Sequence, residues 1–291
     1  MKARLVSAGY AAGWALVRWL PERFVRALFD RIADVATKRR VRGVRRLESN
    51  LQRVLGPDVD VAPVVRAGMR SYLRYWCEAF RLPVMKPERI VAGTKTVGEE
   101  HFRAALATGQ GVVAALPHMG NWDLAGAWAV LTDAPFTTVA ERLEPESLFR
   151  RFVEFRESIG MEVIPLTGGE RPPAELLRER LRGGGFLALL ADRDLTAAGI
   201  PVTFFDGTAK VPAGPAALAL DTGATLLPVT LWWEGAVHVI RFHPPVRHRP
   251  DLPRAEAIAA MSQDVVDAFA QGIAEHPEDW HMLQRIWVEA S

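Results

Sequence analysis

From residue 111 onward, short and almost unbroken apolar runs alternate with longer runs of helical spacing. Strand-type segments fall at 111–116, 136–140, 162–166, 186–191, 225–233 and 237–242. Helix-type segments fall at 100–107, 122–131, 145–159, 173–182 and 214–222, and a last one runs over 254–275. A strand with no polar face, such as Phe186-Leu-Ala-Leu-Leu-Ala191, has to be covered on both sides. Alternation of strand and helix supplies that cover, because each crossover lays a helix on the sheet. The pattern predicts an α/β fold with a mostly parallel central sheet and helices on both faces. The last two strands are separated only by Glu234-Gly235-Ala236, a hairpin connection that makes this pair antiparallel. Gly183-Gly184-Gly185 precedes a strand instead of opening a helix, and no GxxxxGKS or GxxxxGKT pattern occurs. It reads as a helix stop, not a phosphate loop.

The first third has another character. Residues 3–20, 22–54 and 62–81 read as helices, the middle one broken, and Pro83 to Pro87 is a breaker cluster. The expected organisation is one catalytic domain over residues 1–291, with a helical, membrane-facing part at 1–85 and an α/β core at 90–291. The apolar run at 5–17 is about 13 residues, short of the roughly 20 that span a bilayer. Trp14, Trp19, Phe24, Val25, Leu28 and Phe29 continue at helical spacing, with Arg18, Glu22, Arg23 and Arg26 between them. This pattern fits a pair of basic amphipathic helices with interfacial tryptophans. A helix packed on the protein's own core gives the same periodicity, and a cleaved signal is a third alternative. Lys38, Arg39, Arg40, Arg42, Arg45 and Arg46 crowd one short stretch. They suit an anionic membrane surface or a solvated helix face. The net charge is only +2 and no nucleic-acid motif accompanies the cluster, so no nucleic-acid partner is expected. The single cysteine, Cys77, lies in an apolar helical stretch and is expected to be buried; it permits no internal disulfide.

The segment Pro117-His118-Met119-Gly120-Asn121-Trp122-Asp123 stands where the strand at 111–116 turns into the helix at 122–131. Strand ends of parallel sheets face the ligand crevice. A neutral His118 there suits a general base that takes a proton from an alcohol. Asp123 is its natural partner, or else a helix-start residue bonding local amides. Asp192 is the first polar residue after the strand at 186–191 and falls at the same edge, where it bonds the histidine or a substrate hydroxyl. Arg193 or Asp194 is expected simply to fix that loop. Glu141 and Arg142 follow the strand at 136–140 and also reach this edge. Arg142 suits a phosphate and Glu141 polyol hydroxyls, and surface ion pairing is the alternative. Arg156, on the following helix, can close an ion-pair network with these carboxylates. Asn121 and Trp122 join Glu141, Arg142 and Arg156 as candidate substrate-binding residues. His238, His243 and His248 lie on or after the last strand, but no HExxH and no Cys/His cluster occurs, so no metal site is expected.

The HxxxxD segment and the blocks at 192–194, 204–216, 218–229 and 276–281 resemble the bacterial lysophospholipid-type acyltransferases of the lipid A lauroyl/myristoyl branch. The resemblance covers most of the chain. The segments at 136–146, 162–169 and 275–284 are most similar to the actinobacterial branch that acylates phosphatidylinositol mannosides. It implies transfer of a long acyl chain, typically palmitoyl, from acyl-CoA to a mannose hydroxyl. His118 would be the base, and Asp192 the assisting acid on a neighbouring loop. Acyl-CoA is then a co-substrate and no resident cofactor is needed. The partner is a membrane-embedded mannosylated phosphatidylinositol, reached peripherally from the cytoplasmic face of the cell membrane. Attack on the thioester is direct, in keeping with the absence of a GxSxG nucleophile motif. Trp122, Leu124, Trp128 and Phe149 are expected either to line an acyl groove or to pack in the core. A different lipid acceptor, hydrolysis of acyl-CoA by the same base, and a lipid-binding scaffold with a degenerate site remain as alternatives.

Overall fold

A computed structural model describes residues 17–142, 146–194 and 198–288; most of the helix expected at 3–20 lies outside them. Helices α1 (Glu22–Lys38), α2 (Arg42–Leu55), α3 (Ala62–Arg81) and α4 (Pro87–Ala92) precede the sheet. The break expected within 22–54 falls at 39–41, where Arg40 takes a left-handed φ of 46°. Pro63 opens α3 at its first turn, where a missing N–H costs nothing.

The sheet has seven strands: β1 (Thr94–Val97), β2 (Val112–Leu116), β3 (Phe136–Ala140), β4 (Glu162–Pro165), β5 (Phe186–Leu190), β8 (Thr225–Glu234) and β9 (Val237–Phe242). Their order is β1-β9-β8-β2-β5-β3-β4. Every pairing is parallel except β8 with β9, as the short connection at 234–236 requires. The crossovers carry α5 (Glu99–Ala107), α6 (Trp122–Leu131), α7 (Glu146–Ser158), α8 (Pro173–Arg182) and α9 (Gly214–Thr222), and α10 (Arg254–Glu275) closes the fold. Two features were not foreseen. β1 is a short edge strand of alternating exposure, and β6 (Ile200–Phe204) pairs with β7 (Gly207–Val211) in a separate hairpin.

The apolar strands are covered on both faces. Val113, Ala115, Leu187, Leu189 and Leu226 pack toward a core that includes Leu47 and Leu51 of α2 and Phe269 of α10. The alternate residues Val112, Ala114, Leu116, Phe186 and Leu227 pack toward Phe102 of α5 and Trp128 of α6. Leu187 and Leu226 are fully buried, each contributing about 1.5–3 kcal/mol relative to exposure. Register then fixes the site. Leu116 pairs with Leu190, and Ala191 N–H donates to the Leu116 carbonyl at 2.8 Å. The two strands leave the sheet side by side, with His118 and Asp192 each two residues beyond that pair.

Candidate active site

The structure brings His118 to Asp192. Nδ1 of His118 lies 2.5 Å from Oδ1 of Asp192. Oδ2 of the same carboxylate accepts the His118 backbone N–H at 2.9 Å and the Trp280 indole N–H at 3.1 Å. Asp192 is 0% exposed. Burial alone would raise its carboxyl; the His118 ring and the N–H donors outweigh that and hold it below the usual range. A carboxylate facing Nδ1 keeps the proton of a neutral imidazole on Nδ1 and leaves Nε2 with a free lone pair. The His118 side chain remains 20% exposed, so this edge is reachable.

The loop holding His118 is pressed against β8 and braced by the C-terminal segment. Gly120 has a φ of 57°, and a Cβ there would stand 2.7 Å from Cβ of Leu231 and 2.8 Å from its carbonyl oxygen. Only glycine meets both conditions. Gly120 N–H donates to the Asp279 carbonyl at 2.8 Å, and His281 N–H to the His118 carbonyl at 2.7 Å. Asp279 also accepts from the Ser71 hydroxyl and, at 2.9 Å, from Trp233 N–H. Its burial pushes the carboxyl up to about 6. His281 bonds Ser71 through Nε2 at 2.9 Å, and burial lowers its imidazole to about 3. In the sequence, 276–281 stands only as a family marker. Its chemical use is visible once the fold closes it over the loop.

Asp123 does not orient His118, which corrects the expected pairing. It points instead into a buried cluster with α3 and α7. Arg156 donates to it from Nε at 2.8 Å, and the Tyr75 hydroxyl donates at 2.9 Å. Burial alone would lower the Arg156 guanidinium, but Asp123 and Tyr75 raise it, so the cation is held. Burial first, and then Asp123, raise the Tyr75 phenol well above its ordinary value, so it stays a donor. Arg156 was expected to join a network of site carboxylates, and its partner is Asp123. Tyr75 was missed, because nothing in an apolar helical stretch marks the one residue that faces another element's carboxylate. Trp122 stands between the two networks. Its ring meets His118 edge-on at 5.6 Å and lies 4.1 Å from Tyr75. Among the described residues, Trp122 Nε1 and His281 Nδ1 are both buried without a hydrogen-bond partner. Such groups cost about 1–3 kcal/mol each.

Behind this edge lies an apolar cavity of about 130 Å³ between the sheet and α6. It runs from Asp123, Arg156, Leu116 and Leu190 at the strand ends down to Phe102 and Phe242. Ala114, Ala188, Ala125 and Gly126 leave the space that larger residues would fill. At about 24 cal/mol per Å³, a cavity of this size forfeits about 3 kcal/mol of packing. Trp122 and Trp128 line it while also packing with the core beside it; Leu124 and Phe149 belong to neighbouring packing.

The other expected residues divide. Asn121 is 0% exposed and caps α6: its Oδ1 accepts Leu124 N–H at 3.0 Å and its Nδ2 donates to Glu78 at 3.1 Å. Its amide is thus consumed within the protein, which corrects the substrate-binding expectation. Arg142 is exposed and pairs with Glu146 at 2.8 Å. No hydrogen bond or ion pair joins it or the exposed Glu141 to His118, Asp123 or Asp192 among the described residues. His238 accepts Asn121 N–H, while His243 bonds Thr230 and His248 the Ala224 carbonyl, so the three do not converge. Among the described residues no group of three or more His, Cys, Asp or Glu is arranged to hold a metal ion.

Residues 3–289 match the family model described as bacterial lipid A biosynthesis acyltransferase. The phosphatidylinositol mannoside acyltransferase of Mycolicibacterium smegmatis is 48% identical over 287 residues, 98% of this chain and 92% of its own length. The protein of that name from Mycobacterium tuberculosis strain CDC 1551 / Oshkosh is 49% identical over 283 residues, 96% of this chain and 87% of its own.

Proposed function

The chain belongs to the bacterial lipid A biosynthesis acyltransferase family, and from that premise we propose that it moves a long acyl chain, palmitoyl by expectation, from acyl-CoA to a mannose hydroxyl of a phosphatidylinositol mannoside. The observation that carries the mechanism is the His118–Asp192 contact through Nδ1, which leaves Nε2 to act as the base, beside an apolar cavity lined by Trp122 and Asp123 of the same segment. His118 Nε2 takes the proton of the sugar hydroxyl as that oxygen attacks the thioester carbonyl. The new C–O bond forms, the C–S bond breaks, and the imidazolium returns its proton to the departing sulfur. Asp192 stabilises the imidazolium in between. The acyl chain occupies the cavity under α6, with Asp123 and Arg156 fixing the wall where it enters. The mannoside acceptor is supported by the names of the two relatives and by their near-complete coverage.

The acceptor lies in a bilayer, and α1 supplies a means of reaching it. Phe24, Leu28, Ile32 and Val35 of α1 recur at helical spacing and are exposed, Phe24 at 57% and Leu28 at 51%, and exposed Leu20 precedes them. Exposed Lys38, Arg39, Arg42 and Arg45 follow at its C-terminal end. No described helix is long and apolar enough to cross a membrane. This arrangement supports peripheral docking by apolar insertion together with attraction to anionic lipid. Phe24→Glu with Leu28→Glu is expected to abolish co-sedimentation with anionic vesicles; binding equal to wild type would refute the docking role.

The deciding experiment for transfer is CoA release from palmitoyl-CoA, with and without a phosphatidylinositol mannoside, for the wild-type chain and His118→Ala. Release that needs both the mannoside and His118 is expected. Release without an acceptor would make the enzyme a thioesterase, and full activity of a folded His118→Ala variant would remove the base.

A further inference from the structure

A second cleft, of about 430 Å³, opens between α1, α3, α4 and the β8–β9 turn. That is within the range of about 300–1,000 Å³ common for ligand sites. Its charge is unbalanced: four arginines, Arg26, Arg74, Arg81 and Arg89, face two carboxylates, Glu22 and Glu78. Two of the arginines are matched, Arg89 to Glu22 at 2.7 Å and Arg74 to Glu78 at 2.8 Å. Arg74 is further held over the Trp233 ring, its guanidinium carbon 3.4 Å from the centroid. Among the described residues Arg81 is bonded only to neutral acceptors, the carbonyls of Val17 and Leu20 at 2.6 and 2.8 Å. Arg26 makes no hydrogen bond or ion pair among the described residues, although it is half-buried on the cleft wall. Two positive charges are therefore left over in a concave, partly desolvated place. Guanidinium groups so placed match phosphate oxygens.

We propose that this cleft binds the anionic phosphodiester headgroup of a membrane lipid, at a site separate from the acyl cavity. The lipid source follows from α1. Glu22 and Arg26 line the cleft from the same helical turns whose other side exposes Phe24 and Leu28. A bilayer meeting that stripe brings its headgroups level with the cleft, and an apolar wall of Ile90, Leu124 and Val237 accompanies the charge. The site also touches the catalytic loop. Glu78 bonds Arg74 on the cleft side and the Asn121 cap of α6 on the other. The proposal rests on the membrane-docking reading of α1 and needs no turnover for its test.

The experiment is calorimetric titration of the full chain with dihexanoyl phosphatidylglycerol below its micelle concentration. Saturable binding is expected, weakened at least about tenfold by Arg26→Gln, the loss of one charge-assisted bond. Arg26→Lys should restore most of it, and His118→Ala should leave it unchanged, which separates this cleft from the acceptor site. Inorganic phosphate binding as tightly as the lipid would overturn the lipid source. Equal binding of dihexanoyl phosphatidylcholine, indifference to Arg26→Gln, or no saturable binding would overturn the site. Each of these failures leaves the acyl-transfer reading standing, and absence of transfer would leave the titration unaffected.

Discussion

Replacing Asp192 by asparagine keeps the shape of the side chain and reverses the logic of the base. Asp192 accepts three hydrogen bonds, one from His118 Nδ1 and two, on the other oxygen, from His118 N–H and Trp280 Nε1–H. Asparagine has one oxygen. If it faces Nδ1, its NH2 confronts two buried N–H donors, at a cost of about 1–3 kcal/mol for each donor left unpaired. If it turns over, the oxygen satisfies both donors and the NH2 donates to Nδ1. The second arrangement keeps three bonds and wins, but it requires an unprotonated Nδ1 and moves the imidazole proton to Nε2. The base then presents an N–H to the hydroxyl it should deprotonate. Returning to the productive tautomer costs about 2–6 kcal/mol from the two unpaired donors. The stabilisation of the imidazolium by a full charge is lost as well. Together these predict a fall in kcat of about 10³- to 10⁵-fold at 1.36 kcal/mol per tenfold, comparable to the loss of the orienting carboxylate in a catalytic triad. The assay is steady-state CoA release with saturating mannoside, alongside nitrogen NMR of the His118 ring in both proteins. Activity of Asp192→Asn within tenfold of wild type, or a proton still on Nδ1, would defeat this argument.

Two further predictions concern stability. Arg156→Met should cost about 3–5 kcal/mol in urea unfolding, because it leaves the Asp123 carboxylate buried without its counter-ion; adding Asp123→Asn should recover much of that loss, and a single variant within about 1 kcal/mol of wild type would show that the pair is not coupled. The protein should also lose stability on mild acidification. Burial lowers His238 and His281 to about 3, so the native state keeps them neutral while the unfolded chain takes up protons below about pH 6.5. The unfolded state then binds more protons, and stability falls with pH through that window. His243, lowered to about 4, acts with the same sign. Asp279, raised to about 6, opposes them by taking up a proton in the native state. From pH 7 to pH 5.5 the histidines cost about 3–4 kcal/mol and Asp279 returns about 1, so a net loss of about 2–3 kcal/mol is expected. A melting temperature unchanged between these values would refute the burial argument.

The sheet was legible because its strands carry no polar face; that constraint is local and survives without tertiary information. β1 was not, since Thr94-Lys-Thr-Val97 is an edge strand whose alternation over so few residues matches many loops. The β6–β7 hairpin was missed for a related reason: Pro201 and exposed Thr203 and Thr208 mask a pair held by contact with α10. At the site, the order of strands predicted which residues reach the ligand edge, and His118 and Asp192 do meet there. It gave no means of telling which carboxylate faces the ring. That choice is made by register, through the pairing of Leu116 with Leu190.

The same register explains why the two ends of HxxxxD belong to different networks. His118 precedes α6 and remains in the loop tied to β5 by Asp192. Asp123 follows the Asn121 cap, so it is already helical and projects toward α3 and α7 instead. A carboxylate in the first turn is favoured by the helix dipole wherever it points, so the position itself does not reveal the partner. The spacing therefore links two functions. One end is the proposed base, whose tautomer Asp192 sets; the other pins α6, which covers the proposed acyl cavity, to two neighbouring helices. Trp122 couples them by touching both His118 and Tyr75. On this reasoning Asp123 acts on transfer through the wall that positions the acyl chain. Its loss should therefore appear in acyl-donor KM and in stability, and the loss of Asp192 in kcat.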